Sequence, residues 1–199
     1  MWCSSPCRNY EILYMKLGKF LLFCALVVQL GGVFAKNPTD PVKLPQEINS
    51  ALANAQFSGT GKLTFFGLNV YDASLWVSSG FKANDFEDHA FALDLHYLRN
   101  FSAADIAKRS LEEMQRLEPV PEQKAAVWMK ALNEAFPNVK KGDRLIGLHK
   151  PEVGVTFWIN GKRTGEIKDV DFSRQFFAIW LSPKTSEPKL RKALVGSAN

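Results

Sequence analysis

The residue types that carry chemistry are scattered along this chain rather than grouped. His89, His96 and His149 lie far apart and lack the spacing of metal ligands, so they are expected on strand faces or at the surface. Gly59-Thr60-Gly61 runs into the strand-like Lys62-Leu63-Thr64 and not into the start of a helix, which excludes a phosphate loop. No Gly-x-Ser-x-Gly elbow presents a nucleophilic serine. The carboxylates Glu112-Glu113 and Asp169/Asp171 fit a solvated helix face and a helix N-terminus, respectively. The three cysteines, Cys3, Cys7 and Cys24, all precede residue 36, so the rest of the chain has no thiol for a disulfide, a metal or a nucleophile. No catalytic residue, metal ligand or cofactor is assigned on these grounds.

The segment that holds the cysteines has its own pattern. Met15-Lys16-Leu17-Gly18-Lys19 is a short basic start, Phe20 to Leu30 an apolar run, and Gly31-Gly32 a break. Val33 and Ala35 then occupy the −3 and −1 positions of a signal-peptidase site. Residues 1–35 are therefore expected to be an export signal cleaved near Ala35, sending the mature chain to the periplasm or outside the cell. Residues 1–14 add nothing such a signal needs, which makes Met15 a natural start. The apolar run is shorter than the roughly 20 residues that cross a bilayer, so no stable membrane span is expected in the mature chain. The signal carries Arg8, Lys16 and Lys19 against Glu11, and its removal leaves 22 basic and 19 acidic residues. That small, evenly spread excess argues against a nucleic-acid partner.

A composition of 46% hydrophobic and 23% charged residues is that of a folded globular protein, and 15 Phe and five Trp predict an aromatic core. Residues 36–45 contain three prolines and read as an extended lead-in; residues 42–197 read as one domain. Gln56 to Phe66 and Leu68 to Val77 predict two strands broken at Gly67. In Ala90 to Leu98, Phe91, Leu93, Leu95 and Tyr97 alternate with Ala92, Asp94 and His96, the period of a half-buried strand. Ser102 to Asp105 looks like a capping box opening a helix with Ile106, Ser110, Met114 and Leu117 on one face. A second helix from Pro121-Glu122 is expected to turn Val127, Trp128, Ala131, Leu132 and Ala135 inward. Strands follow at Arg144 to His149, Val153 to Ile159 and, across the hairpin signal Asn160-Gly161, Lys162 to Ile167. Two helices close the chain, one after Asp171 and one from about Ser186. Runs of strands alternating with runs of helices predict an α+β fold, an antiparallel sheet with helices on one face.

Several of these segments together resemble one family. They are Gly59-x-Gly61 with Val70-Tyr71-Asp72-Ala73-Ser74-Leu75-Trp76; Leu95 to Arg99 with Ile106 to Ser110; and Phe176 to Pro183 with Leu190 to Gly196. In this order they are similar to the bacterial chalcone isomerase-like proteins. The resemblance implies an open-faced β-sandwich, a large antiparallel sheet under a layer of helices, with an apolar ligand cleft between them. It also implies positions for the enzymes' ring-closing residues. The strand Arg falls at Leu63, the Thr at Phe66 and the Tyr near Phe101, while the polar positions of the C-terminal helix fall among Ala178, Ile179 and Trp180.

Leu63, Phe66 and Phe101 neither stabilise an oxyanion nor position a phenolate, so the family's ring closure is not expected. Lys62, Tyr71, Tyr97 and Arg99 are the polar residues nearest the implied cleft and the candidate ligand-binding set. The resemblance implies a binder of a small hydrophobic molecule such as a fatty acid. Two other readings stand beside it: an intramolecular lyase or isomerase that uses Lys62, Tyr97 or Arg99, and an exported interaction scaffold.

Overall fold

The structure, a computed structural model, describes residues 43–196; the expected export signal, the lead-in up to residue 42 and residue 197 lie outside the described residues. Six strands form one antiparallel sheet in which each pairs with its chain neighbour. They are β1 (Gln56–Phe65), β2 (Leu68–Val77), β3 (Phe91–Tyr97), β4 (Arg144–Lys150), β5 (Gly154–Ile159) and β6 (Lys162–Ile167). The helices α2 (Ala103–Leu117), α3 (Glu122–Ala135), α4 (Val170–Leu181) and α5 (Pro188–Val195) cover one face. This is the α+β architecture that the pattern of alternating runs predicts.

The period of two decides which side chains meet the helices. Phe91, Leu93, Leu95 and Tyr97 of β3 join the main core, together with Tyr71, Ala73, Leu75 and Val77 of β2. The intervening residues face the other side, where Asp94 is paired with Arg144. That far face holds an element the sequence reading lacks, α1 (Gln46–Ala51). Ile48 of α1 and Leu52 just after it bury against Trp76, Ala92, Ile146 and Leu148. Six residues are too few to display a helical period, so tertiary burial decides this helix.

Local chemistry sets the helix ends. Ser102 Oγ accepts the Asp105 N–H at 3.1 Å, the capping expected at α2. The Asp169 carboxylate caps α4 by accepting the Phe172 N–H at 2.9 Å, and it also accepts the Trp128 indole N–H at 2.8 Å, which ties α3 to α4. One inward and one outward expectation are corrected. Ala125, Trp128, Leu132 and Ala135 make the buried stripe of α3, whereas Val127 is 64% exposed because it sits about 100° round the helix from Trp128. Glu113, expected on a solvated face, is buried beneath Arg109, Arg116 and the loop before α5.

Two ends of the sheet are packed differently. Beneath the β2–β3 connection, Phe81, Phe86, Phe91, Phe177 and His149 fill the space ring against ring. His149 is a strand-face histidine held in the core, with Ser173 Oγ 2.7 Å from Nδ1 and the Glu87 carbonyl 2.9 Å from Nε2. Burial lowers its pKa, which keeps the ring neutral, so Nε2 donates to that carbonyl and Nδ1 accepts from the serine.

Gly59 and Gly61 give β1 a bare surface on which α5 lies directly. A Cβ at Gly61 would come within 2.7 Å of the Leu190 side chain, and one at Gly59 would strike the Ala193 carbonyl. Ser58 adds a hydrogen bond to the Leu194 carbonyl at 3.0 Å. Gly59→Ala is expected to lower stability by about 3 kcal/mol through this forced separation, as read from urea denaturation.

Candidate functional site

At the end of the sheet opposite the Phe81–Phe86 packing, the helices stand off the strands and enclose a cavity of about 350 Å³. Its sheet side is made by Leu63, Phe65, Val70, Tyr71, Leu95, Tyr97 and Leu145. Phe101, Phe136, Ile106, Phe176, Ile179 and Leu190 supply most of the opposing apolar wall. Inward residues of adjacent strands form the floor, with Leu63 opposite Tyr71 and Tyr71 opposite Tyr97 in the register.

The two tyrosines are the polar groups of that floor. Their rings meet edge to face with centroids 5.8 Å apart. The Trp180 indole N–H donates to the Tyr71 hydroxyl at 2.9 Å, so the Tyr71 proton is left for another acceptor. Tyr97 Oη has no hydrogen-bond partner among the described residues. Burial pushes both phenols well above the ordinary tyrosine range. At Tyr71 the hydrogen bond from Trp180 opposes burial, while the carboxylates of Glu187 and Glu113 reinforce it and Arg109 works against it. At Tyr97 the neighbouring Tyr71 reinforces burial. Both phenols are therefore hydrogen-bond donors at any physiological pH.

The mouth is polar. Asp105, Arg109 and Glu113 recur every four residues along α2 and border it, with Ser186 and Glu187 across from them. Glu113 accepts from Arg109 at 2.6 Å, from Arg116 at 2.8 Å and from Ser186 at 3.0 Å. Burial works to raise its pKa, yet the hydrogen bonds from Arg116 and Ser186 and the charges of Arg109 and Arg116 hold the carboxyl below the usual range. Arg109 also lies over the Phe65 ring, 5.9 Å from its centroid, and so spans the mouth from α2 to the β1–β2 hairpin.

Of the four candidate ligand-binding residues, Tyr71 and Tyr97 line the cavity, whereas Lys62 and Arg99 do not. Lys62 pairs with Asp72 on the far side of the sheet, as strand alternation requires of a neighbour of inward Leu63. Arg99 is exposed on the link between β3 and α2. Lys62, Tyr97 and Arg99 therefore do not converge on one point.

Leu63 and Phe101 line the cavity at positions where the family resemblance places polar residues, and Phe66 stands outside on the hairpin tip, 88% exposed. Sequence reasoning gives Arg109 no place at the site, puts Glu113 on a solvated face and assigns Trp180 no donor role. The four-residue spacing of Asp105, Arg109 and Glu113 was the available signal for the first two. Among the described residues no group of side chains is arranged to hold a metal.

An open antiparallel sheet with helices on one face and an apolar cavity between the layers defines the class. A family model described as chalcone isomerase-like matches residues 37–196, and the chain belongs to that family. An uncharacterized protein of Haemophilus influenzae is 24% identical over 145 residues, which span 72% of this chain and 69% of that one. The crystal structure of a fatty-acid binding protein from Arabidopsis thaliana has a TM-score of 0.58 and 10% identity, covering 73% of this chain and 89% of its own. At that identity the likeness speaks for the fold.

The raised phenol pKa values give a direct expectation. An alkaline titration followed by phenolate absorbance should show Tyr71 and Tyr97 silent at pH values where a free tyrosine, with a pKa of about 10, has ionised. The folded chain then holds protons that the unfolded chain has released, so stability falls as the pH rises above about 10. Ordinary ionisation of these two residues in the folded protein would contradict their burial.

Proposed function

We propose that this protein is a non-catalytic binder of a single-chain apolar acid, of which a fatty acid is the simplest example. The observation that carries the reading is the cavity floor, where the phenols of Tyr71 and Tyr97 line an otherwise apolar wall and neither donates its proton to an acceptor among the described residues. A site of about 350 Å³ lies at the small end of ligand pockets, which suits one alkyl chain rather than a whole phospholipid. The alkyl chain lies along Leu63, Ile106 and Ile179, and the acceptor oxygens of the head meet Tyr71 and Tyr97, with Arg109 nearby at the mouth.

Leu63 and Phe101 line the cavity where the family's enzymes have polar residues, which supports binding without ring closure. The fatty-acid binding protein of Arabidopsis thaliana, which shares the fold, supports the ligand class. The export pattern of residues 15–35 supports a periplasmic setting for the activity.

Binding of palmitate, followed by calorimetry and native mass spectrometry, tests the assignment. Tyr71→Phe and Tyr97→Phe are each expected to weaken affinity about five- to tenfold, the value of one neutral hydrogen bond. Leu63→Trp, which places an indole in the cavity, should abolish binding while the circular dichroism stays that of the wild type. Arg109→Gln should weaken palmitate more than hexadecanol. Lys62→Ala and Arg99→Ala should leave affinity unchanged. Full affinity in both tyrosine variants would overturn the assignment.

A further inference from the structure

The β1–β2 hairpin ends in a turn that is poor for folding. Phe66 and Gly67 both have positive φ, 47° and 75°, the same left-handed pair as Asn160 and Gly161 at 48° and 85° in the β5–β6 hairpin. Asn-Gly suits such a turn, whereas a bulky Phe in the left-handed region is an outlier. Here Phe66 is also 88% exposed, and Phe65 and Leu68 beside it are 52% and 51% exposed. The tip therefore combines backbone strain at Phe66 with unburied apolar surface, and its contact with α2 is Arg109 over the Phe65 ring.

Three connections meet at this end of the sheet. The Leu98 N–H bonds to the Val70 carbonyl, which sets Arg99 beside the hairpin, and the Lys141 N–H bonds to the Asn100 side chain, which adds Lys140 and Lys141. All three cations are exposed, and none has an ion pair among the described residues. The acid among them, Asp143, is occupied with the Lys140 N–H at 2.7 Å and the Asn160 amide at 2.9 Å. Phe65 belongs at once to the tip and to the cavity lining, so the apolar surface runs from the tip into the cavity.

We propose that the β1–β2 tip is a membrane-docking wedge: Phe65, Phe66 and Leu68 enter an anionic lipid surface, Arg99, Lys140 and Lys141 face its headgroups, and the cavity mouth is brought against the bilayer that supplies its ligand. Apolar side chains flanked by unpaired cations are what an anionic interface selects. A convex tip of three side chains buries fully in a fluid bilayer, whereas a protein partner would need a matching groove. The ligand-supply part of this proposal rests on the cavity binding an apolar acid; the docking part does not.

The test compares the chain as exported by expressing cells with Phe66→Asn in flotation on phosphatidylglycerol–phosphatidylethanolamine vesicles. Residues before 43 are then common to both proteins, and Asn suits the left-handed turn, so the variant keeps its fold. Wild type is expected to partition about tenfold better than Phe66→Asn, the value of burying one aromatic side chain. Raised salt or a Lys140→Glu/Lys141→Glu change should weaken the partition on these vesicles, but not on phosphatidylcholine. Palmitate binding in vesicle-free buffer should be equal in wild type and Phe66→Asn. Equal partition of the two proteins would overturn the proposal, as would sedimentation showing a dimer that Phe66→Asn dissolves while vesicle binding is unchanged. A tip-dependent partition with no palmitate bound by either protein would uphold docking and overturn the cavity's assignment.

Discussion

The closeness with which a helix can approach a strand governs this structure. A six-stranded meander exposes one broad apolar face, and the helices that cover it cannot touch it everywhere at the same distance. Where β1 and β6 carry glycine the helices come in close: the α5 backbone lies on Gly59, the Leu190 and Ala193 side chains on Gly61, and Ala135 of α3 on Gly165. Between these edges, Gly147 makes room for Phe157 and Phe177 at the filled part of the core. Toward the Tyr71–Tyr97 end no glycine among the described residues is packed against a helix, and Tyr71, Tyr97, Phe101, Phe136 and Phe176 line the space between the layers. The cavity follows from this pattern of pinned edges and an unpinned interior.

The same geometry explains why polar groups survive there. A buried hydroxyl without a partner is costly, and proteins rarely leave one unless something else satisfies it. Tyr71 has half of its requirement met by Trp180, a contact that crosses from sheet to α4 and fixes the phenol's direction. Tyr97 has none among the described residues. The cation at the cavity comes from α2 as Arg109 and not from β1, where Leu63 lines the floor. Arg109 is held between Glu113 and the Phe65 ring, which places a charge at the rim while the interior stays apolar.

Much of the fold was legible in the sequence because its signals are local. Period-two alternation in β3, Asn160-Gly161 and the Ser102 cap each act within a few residues, and each appears where those residues predict it. The elements that escaped depend on contacts between distant segments. Helix α1 exists because Ile48 and Leu52 meet Trp76 and Ile146. Glu113 is buried because a loop some seventy residues later carries Ser186 over it. The site was half legible for the same reason: inward Tyr71 and Tyr97 follow from alternation, which also sends Lys62 to the opposite face. Arg109 requires knowing that α2 lies along the mouth, and no strand pattern reports that.

In the proposed complex the space between Tyr71, Tyr97 and the helices holds an alkyl chain. Magnetic-resonance contacts between carbon-labelled palmitate and the protein read this most directly. Acyl-chain contacts are expected to Leu63, Tyr97, Phe101, Ile106 and Ile179, with the carboxyl end nearest Tyr71 and Arg109. Contacts confined to Phe66 and Leu68 on the hairpin tip, or to Trp158 on the far face of the sheet, would contradict it.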